Sequence, residues 1–155
     1  MITAELPNNE LQRLEKLASY RILDTLHEPE YDDIVQLVAT ICKTPIADIS
    51  LVDANRQWFK AKIGLDAAET PREIAFCSHT ILQSDVFIIP DASKDARFAD
   101  NPLVTEPPNI RFYAGMPLIT PEGYVIGSLC AIDTKPRELD SEQKNALRVL
   151  AGYVV

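Results

Sequence analysis

The chain has 155 residues, 46% of them apolar and 25% charged, with a formal net charge of −8. That length suits one domain with a self-sufficient core, and that apolar content excludes a disordered chain. The negative excess argues against nucleic acid and anionic membrane as partners, because both are polyanions.

The first periodic segment runs from Glu10 to Tyr20, with Leu11, Leu14, Leu17 and Ala18 on one stripe and Asn8 or Asn9 placed to cap it. A second helix is expected from Glu30 to Cys42, its apolar face made by Ile34, Leu37, Val38 and Ile41, before Pro45 breaks it. Ile46 to Val52 and Gln57 to Ile63 then read as a β-hairpin around Asp53-Ala54-Asn55-Arg56. Thr70-Pro71-Arg72-Glu73 has the form of a capping box that opens a helix reaching to Gln83. Val86 to Ile89 forms a short strand ended by Pro90. The polar stretch from Asp91 to Asn109 contains three prolines and reads as a long excursion with at most one helical turn. Ile110 to Leu118 and Tyr124 to Ile132 form a second hairpin, and Asp140-Ser141-Glu142-Gln143 caps a last helix that runs to Val155. Leu147, Leu150 and Val154 of that helix have the spacing of a heptad seam.

Two hairpins flanked by terminal helices give an α+β fold. The expectation is a central antiparallel sheet of five to six strands, terminal helices on one face and a pocket under the loop excursion on the other. Alternation along the strands assigns the faces. Phe59, Ala61 and Ile63 share one side of the second strand and Ile110, Phe112, Ala114 and Met116 one side of the fifth, so these sets are expected against the helices. Trp58, Arg111 and Tyr113 then become candidates for the pocket side, aromatics plus a cation being common in small-molecule sites. The last strand is apolar on both faces, as a central strand should be, and Gly127 marks a close approach of ligand or backbone.

Cys42, Cys77 and Cys130 are the only cysteines. An odd, sparse set without a CxxC pair argues against a disulfide framework and against a structural zinc site, and it fits a reducing compartment. The N-terminus MITAELPNNE lacks the basic and apolar regions of a signal peptide, and no apolar run reaches the roughly 18 residues of a membrane span. A cytoplasmic domain without membrane insertion is the resulting expectation. Cys77 and His79 are the nearest approach to a reactive pair, but residues two apart on a helix point away from each other. His79 alone is weak evidence for haem or a metal.

The string SLVDANRQWFKAKIGLDAAETPREIAFCSHTIL, and after it IIPDASKDARFADNPLVTEPPNIRFYAGMPLITPEGYVIGSLCAIDTKPREL, resembles the signature of a large group of bacterial GAF domains. The preceding RLEKLASYRILDT resembles the helix that leads into them. The resemblance covers residues 10 to 155. It implies a single GAF domain over 1–155, cut from a longer signalling protein, with an N-terminal helix at 10–20 and a C-terminal signalling helix at 140–155. It further implies a sensory or dimerisation module joined to an effector such as a histidine kinase or diguanylate cyclase, a homodimer through the terminal helices, and an unidentified small molecule as ligand. The candidate pocket residues are Trp58, Cys77, His79, Arg111, Tyr113 and Cys130; no catalytic residue and no metal ligand is assigned. The Asn-Lys-Phe-Asp-Glu motif of cyclic-nucleotide-binding relatives has no counterpart here, and the excursion lacks the cysteine that bilin-binding relatives use. Covalent bilin, haem and cyclic nucleotide are therefore not expected. The alternative within the same fold is a cysteine-based enzyme resembling free methionine sulfoxide reductase, against which the wide separation of the three cysteines speaks.

Overall fold

The strands of the computed structural model, which describes residues 1–155, are β1 (Ile46–Val52), β2 (Arg56–Ile63), β3 (Glu69–Pro71), β4 (Phe87–Ile89), β5 (Phe112–Ile119) and β6 (Val125–Asp133). They form one antiparallel sheet in the order β3-β2-β1-β6-β5-β4. The helices are α1 (Glu10–Ser19), α2 (Pro29–Cys42), α3 (Cys77–Thr80), α4 (Pro102–Thr105) and α5 (Ser141–Val154), with single 3-10 turns at Arg72–Ile74 and Ala92–Lys94. The expected α+β architecture is the one observed, and β6 lies at the centre as its two apolar faces require.

Local chemistry fixes the joints. Pro29 opens α2, and Lys43 ends it in the left-handed region at φ 57°. The first hairpin closes with the Asp53 amide donating to the Arg56 carbonyl at 2.8 Å, and the Asp53 carboxylate accepts from the Ala54 amide. The second closes over Gly123, whose φ of 92° only glycine adopts freely. Asp140 and Gln143 form the expected reciprocal capping box on α5.

One core lies between the sheet and α1, α2 and α5. Leu17, Val35, Val38, Leu147 and Ala151 pack on Ala47, Ile49, Leu51, Ala61, Phe112, Ala114, Leu129 and Ala131. A second core lies on the opposite face, under α3, α4 and the loops around them, and includes Phe76, Cys77, Phe98, Val104, Ile110, Tyr113, Cys130 and Ile132.

Four expectations are corrected. Trp58 belongs to the helix-side core, not to the pocket side. The reason is a bulge in β2: Ser50 pairs with Phe59 but Ile49 pairs with Ala61, leaving Lys60 as the extra residue. The bulge shifts the alternation by one, so Trp58 and Ala61 share the helix face while Phe59 turns to the other side. Ile110, which precedes β5, likewise packs in the second core. The helix expected from Thr70 to Gln83 does not form as one piece. Thr70 and Pro71 pair with β2 in β3, a single 3-10 turn follows, and α3 comes only after Phe76. In α1 the buried side chains are Arg13 and Leu17, whereas Leu11 is exposed and Asn9 makes no side-chain cap. Arg13 is what docks this helix: its guanidinium donates to the Val52 carbonyl at 2.7 Å and to Glu10, which also binds Arg72. Finally, the excursion holds two short helical turns, not one.

Candidate functional site

The second core is incomplete. Between the sheet and the cover formed by residues 65–77 and 103–110 lies a cavity of about 140 Å³, walled mainly by Phe59, Leu65, Phe76, Leu103, Ile110, Tyr113 and Ile132. Polar atoms enter it at few points, among them Asp48, Gln57, Thr70 and Cys77. This mostly apolar lining with a few convergent polar groups is the composition of a small-molecule site. Gln57 is buried and donates from its amide nitrogen to the Thr70 hydroxyl at 3.3 Å, while its amide oxygen has no partner. An unpartnered buried acceptor costs about 1–3 kcal/mol unless something outside the protein supplies a donor.

At the floor of the cavity sits a buried polar cluster built by three elements. Strand β1 contributes Asp48 and Ser50, α3 contributes Cys77, and β5 and β6 contribute Tyr113, Ser128 and Cys130. The two thiols lie 3.7 Å apart although 53 residues separate them in sequence. The Ser128 hydroxyl is 2.9 Å from both sulfurs, and the Tyr113 hydroxyl is 3.2 Å from Cys130 Sγ and 3.5 Å from Cys77 Sγ. Tyr113 is fixed in turn by Thr80 at 2.7 Å. Ser50 donates to the Asp48 carboxylate.

No cation neutralises this cluster, and its acidities follow. Burial pushes the Asp48 carboxyl well above the usual range, and the neighbouring Cys77 adds to the effect against hydrogen bonds from Ser50 and Cys130. Burial also pushes Cys130 and Tyr113 well up. For Cys77, burial acts in the same direction but is outweighed by hydrogen bonds from Cys130, Ser128, Tyr113 and Ser50, which bring its thiol down to about 7.

Of the six residues named from sequence, the structure brings together Cys77, Tyr113 and Cys130. Trp58 is on the far side of the sheet. Arg111 is outside the cavity because its guanidinium donates to the carbonyls of Val104 and Ile110, at 2.8 and 3.0 Å, tying the end of α4 to the start of β5. His79 is half-exposed at the edge of the cover. Its Nε2 is 3.1 Å from the Ile2 carbonyl and its ring meets Phe98 edge-on at 4.8 Å. Sequence reasoning missed Asp48, Ser50, Gln57, Phe59 and Ser128. A signal existed for the first two, since Asp48 and Ser50 alternate with Ala47, Ile49 and Leu51 in a strand otherwise read as wholly apolar. Phe59 was hidden by the bulge.

A six-stranded antiparallel sheet with helices on one face, and a covered cavity on the other, defines a sensory or regulatory α+β domain. The GAF domain family matches residues 22–155, and the chain belongs to it. It is 44% identical over 137 residues to the cyclic di-GMP phosphodiesterase PA2567 of Pseudomonas aeruginosa. The shared stretch takes in 88% of this chain but only 23% of that protein, so the chain spans less than a quarter of its relative. That relative is a phosphodiesterase, not the kinase or cyclase that the sequence resemblance implied. Among solved structures, the GAF domain of an Acinetobacter phosphoenolpyruvate-protein phosphotransferase superposes with a TM-score of 0.64 at 19% identity, over 96% of this chain and 92% of that one. The type II free methionine-R-sulfoxide reductase of Thermoplasma acidophilum superposes at 0.63 with 15% identity, over 90% and 89%. These likenesses show the fold. No helix is long and apolar enough to cross a membrane.

Proposed function

We propose that this chain is the sensory domain of a longer signalling protein, in which a small, mainly apolar molecule held in the cavity regulates an effector that hydrolyses cyclic di-GMP. The observation that carries the ligand is the cavity itself, with the unpartnered amide oxygen of Gln57 at its polar end. The likeness to the Pseudomonas phosphodiesterase supports the effector in preference to a histidine kinase or diguanylate cyclase. Coupling runs through α5, whose Leu147 is buried while Val149 and Tyr153 are exposed and available to a second copy. A homodimer through the terminal helices follows from that face. Native mass spectrometry of the chain purified from its own host tests the reading. A retained small mass that is lost in Q57L supports it, and a chain that carries no additional mass under gentle ionisation, with Q57L indistinguishable from it, refutes the ligand.

A second reading is the sulfoxide reductase. It draws on the proximity of Cys77 and Cys130, which their sequence spacing concealed. Thioredoxin-dependent consumption of free methionine sulfoxide by this chain, abolished in C77S or C130S, establishes it; absence of turnover removes it.

A further inference from the structure

We infer that Asp48, Cys77 and Cys130 form a binding site for a thiophilic divalent cation, with zinc as its probe. This inference is independent of the effector and of the ligand proposed above. All three residues are buried, and one ligand atom from each lies within 4.8 Å of the others. Two thiolates held tetrahedrally at about 2.3 Å from zinc stand about 3.8 Å apart. The sulfurs of Cys77 and Cys130 are 3.7 Å apart, so that edge of the tetrahedron is already set. A modest swing of the carboxylate completes a three-residue ligand set.

The surroundings fit a metal better than they fit three uncompensated acids. Asp48 is 1% exposed, bonds to the Ser50 hydroxyl and has no lysine, arginine or histidine partner. An uncompensated carboxylate at that depth is costly, and a divalent cation would offset it. Two thiolates and a carboxylate around a divalent ion leave one negative charge, and the hydroxyls of Ser50, Ser128 and Tyr113 are placed to donate to the ligand atoms as outer partners do. Asp48 and Cys77 also line the cavity, which gives the ion an entry path and leaves its fourth position facing the space where a small molecule would sit. Three protein ligands with one open position is the pattern of a reactive zinc site, not of a closed structural one. The two uses of the cysteine pair are exclusive, because thiolates held by a cation are not free to form a disulfide.

The test is titration of the reduced, chelator-treated chain with Co²⁺ and then Zn²⁺. The expected result is one ion per chain, with a thiolate-to-cobalt charge-transfer band and the visible bands of tetrahedral Co²⁺, both displaced by Zn²⁺. C77S and C130S each abolish the charge-transfer band, D48N weakens Zn²⁺ binding about tenfold or more, and C42S leaves it unchanged. Circular dichroism checks that each variant folds. X-ray absorption on the zinc-loaded wild-type chain needs no variant and should show two sulfur neighbours at about 2.3 Å. No stoichiometric binding by the reduced chain overturns the inference. So does binding that survives C77S and C130S, a shell without sulfur, or a Cys77–Cys130 disulfide in a chain that ignores Zn²⁺ when reduced.

Discussion

Tyr113 lies across Gly115, so close that a β-carbon on Gly115 would fall 2.8 Å from the phenol Cζ. The missing side chain is what lets the ring run along β5 and deliver its hydroxyl to Cys77, Cys130 and Thr80. G115A should therefore cost about 1–3 kcal/mol, the usual range for overpacking a filled core. Y113F removes only the hydroxyl and should cost about 1 kcal/mol. Because both changes disturb the same bonds, the double variant should fall short of the sum, as measured by urea unfolding. Full additivity would show that Gly115 does not act through Tyr113.

Trp58 gives a prediction that separates the two faces of the sheet. It packs with the helices, so W58A should destabilise the domain by about 3–5 kcal/mol. The milder W58F should lose part of that stability while leaving any mass retained by the folded chain unchanged. Loss of the retained ligand in folded W58F would contradict the face assignment.

Glu10 sets an acid limit. Burial acts to raise its pKa, but hydrogen bonds from Arg72 and Arg13 outweigh that and hold the carboxyl at about 2, against an ordinary value of 4.5. A folded-state value below the unfolded one means that its stabilisation is fully present above pH 4.5 and is lost as pH falls toward 2. The expected contribution is about 2 kcal/mol after allowance for partial exposure. The stability difference between wild type and E10Q, followed by denaturant titration, should shrink across that window. A difference independent of pH would show that the Glu10–arginine contacts are not ionic in effect.

Gly127 leaves no room for change. A β-carbon there would come within 3.0 Å of Leu51 Cα and of the Ser50 carbonyl carbon, both backbone atoms of the neighbouring strand. G127A must push β1 and β6 apart, and a loss above about 3 kcal/mol is expected, read as a drop in the urea midpoint. A variant as stable as wild type would mean that the strands separate freely at this point.

The order of elements was legible because turn and cap chemistry is local. Asp53, Gly123 and the Asp140–Gln143 box each act within a few residues, and each marks its element correctly. The site was legible only in part. Tyr113 follows from simple alternation in β5, whereas Trp58 and Phe59 were exchanged because one extra residue, Lys60, inverts the pattern without any change in composition. The Thr70–Glu73 box misled for a different reason: pairing with β2 claimed Thr70 and Pro71 before a helix could start. The meeting of Cys77 with Cys130 depends on the sheet order, which places α3 over β6, and no local pattern carries that information.

The first and last helices both lie on the same side of the sheet, against the core that holds Leu17 and Leu147. Whatever is joined to the chain beyond either end thus approaches from one flank only. Neighbouring modules can stack, twist or pair along that flank without blocking the mouth of the cavity on the other. Access for a diffusing molecule and leverage on the rest of a polypeptide are thereby assigned to opposite sides of one thin layer, and the strands between them are the only material through which one can influence the other.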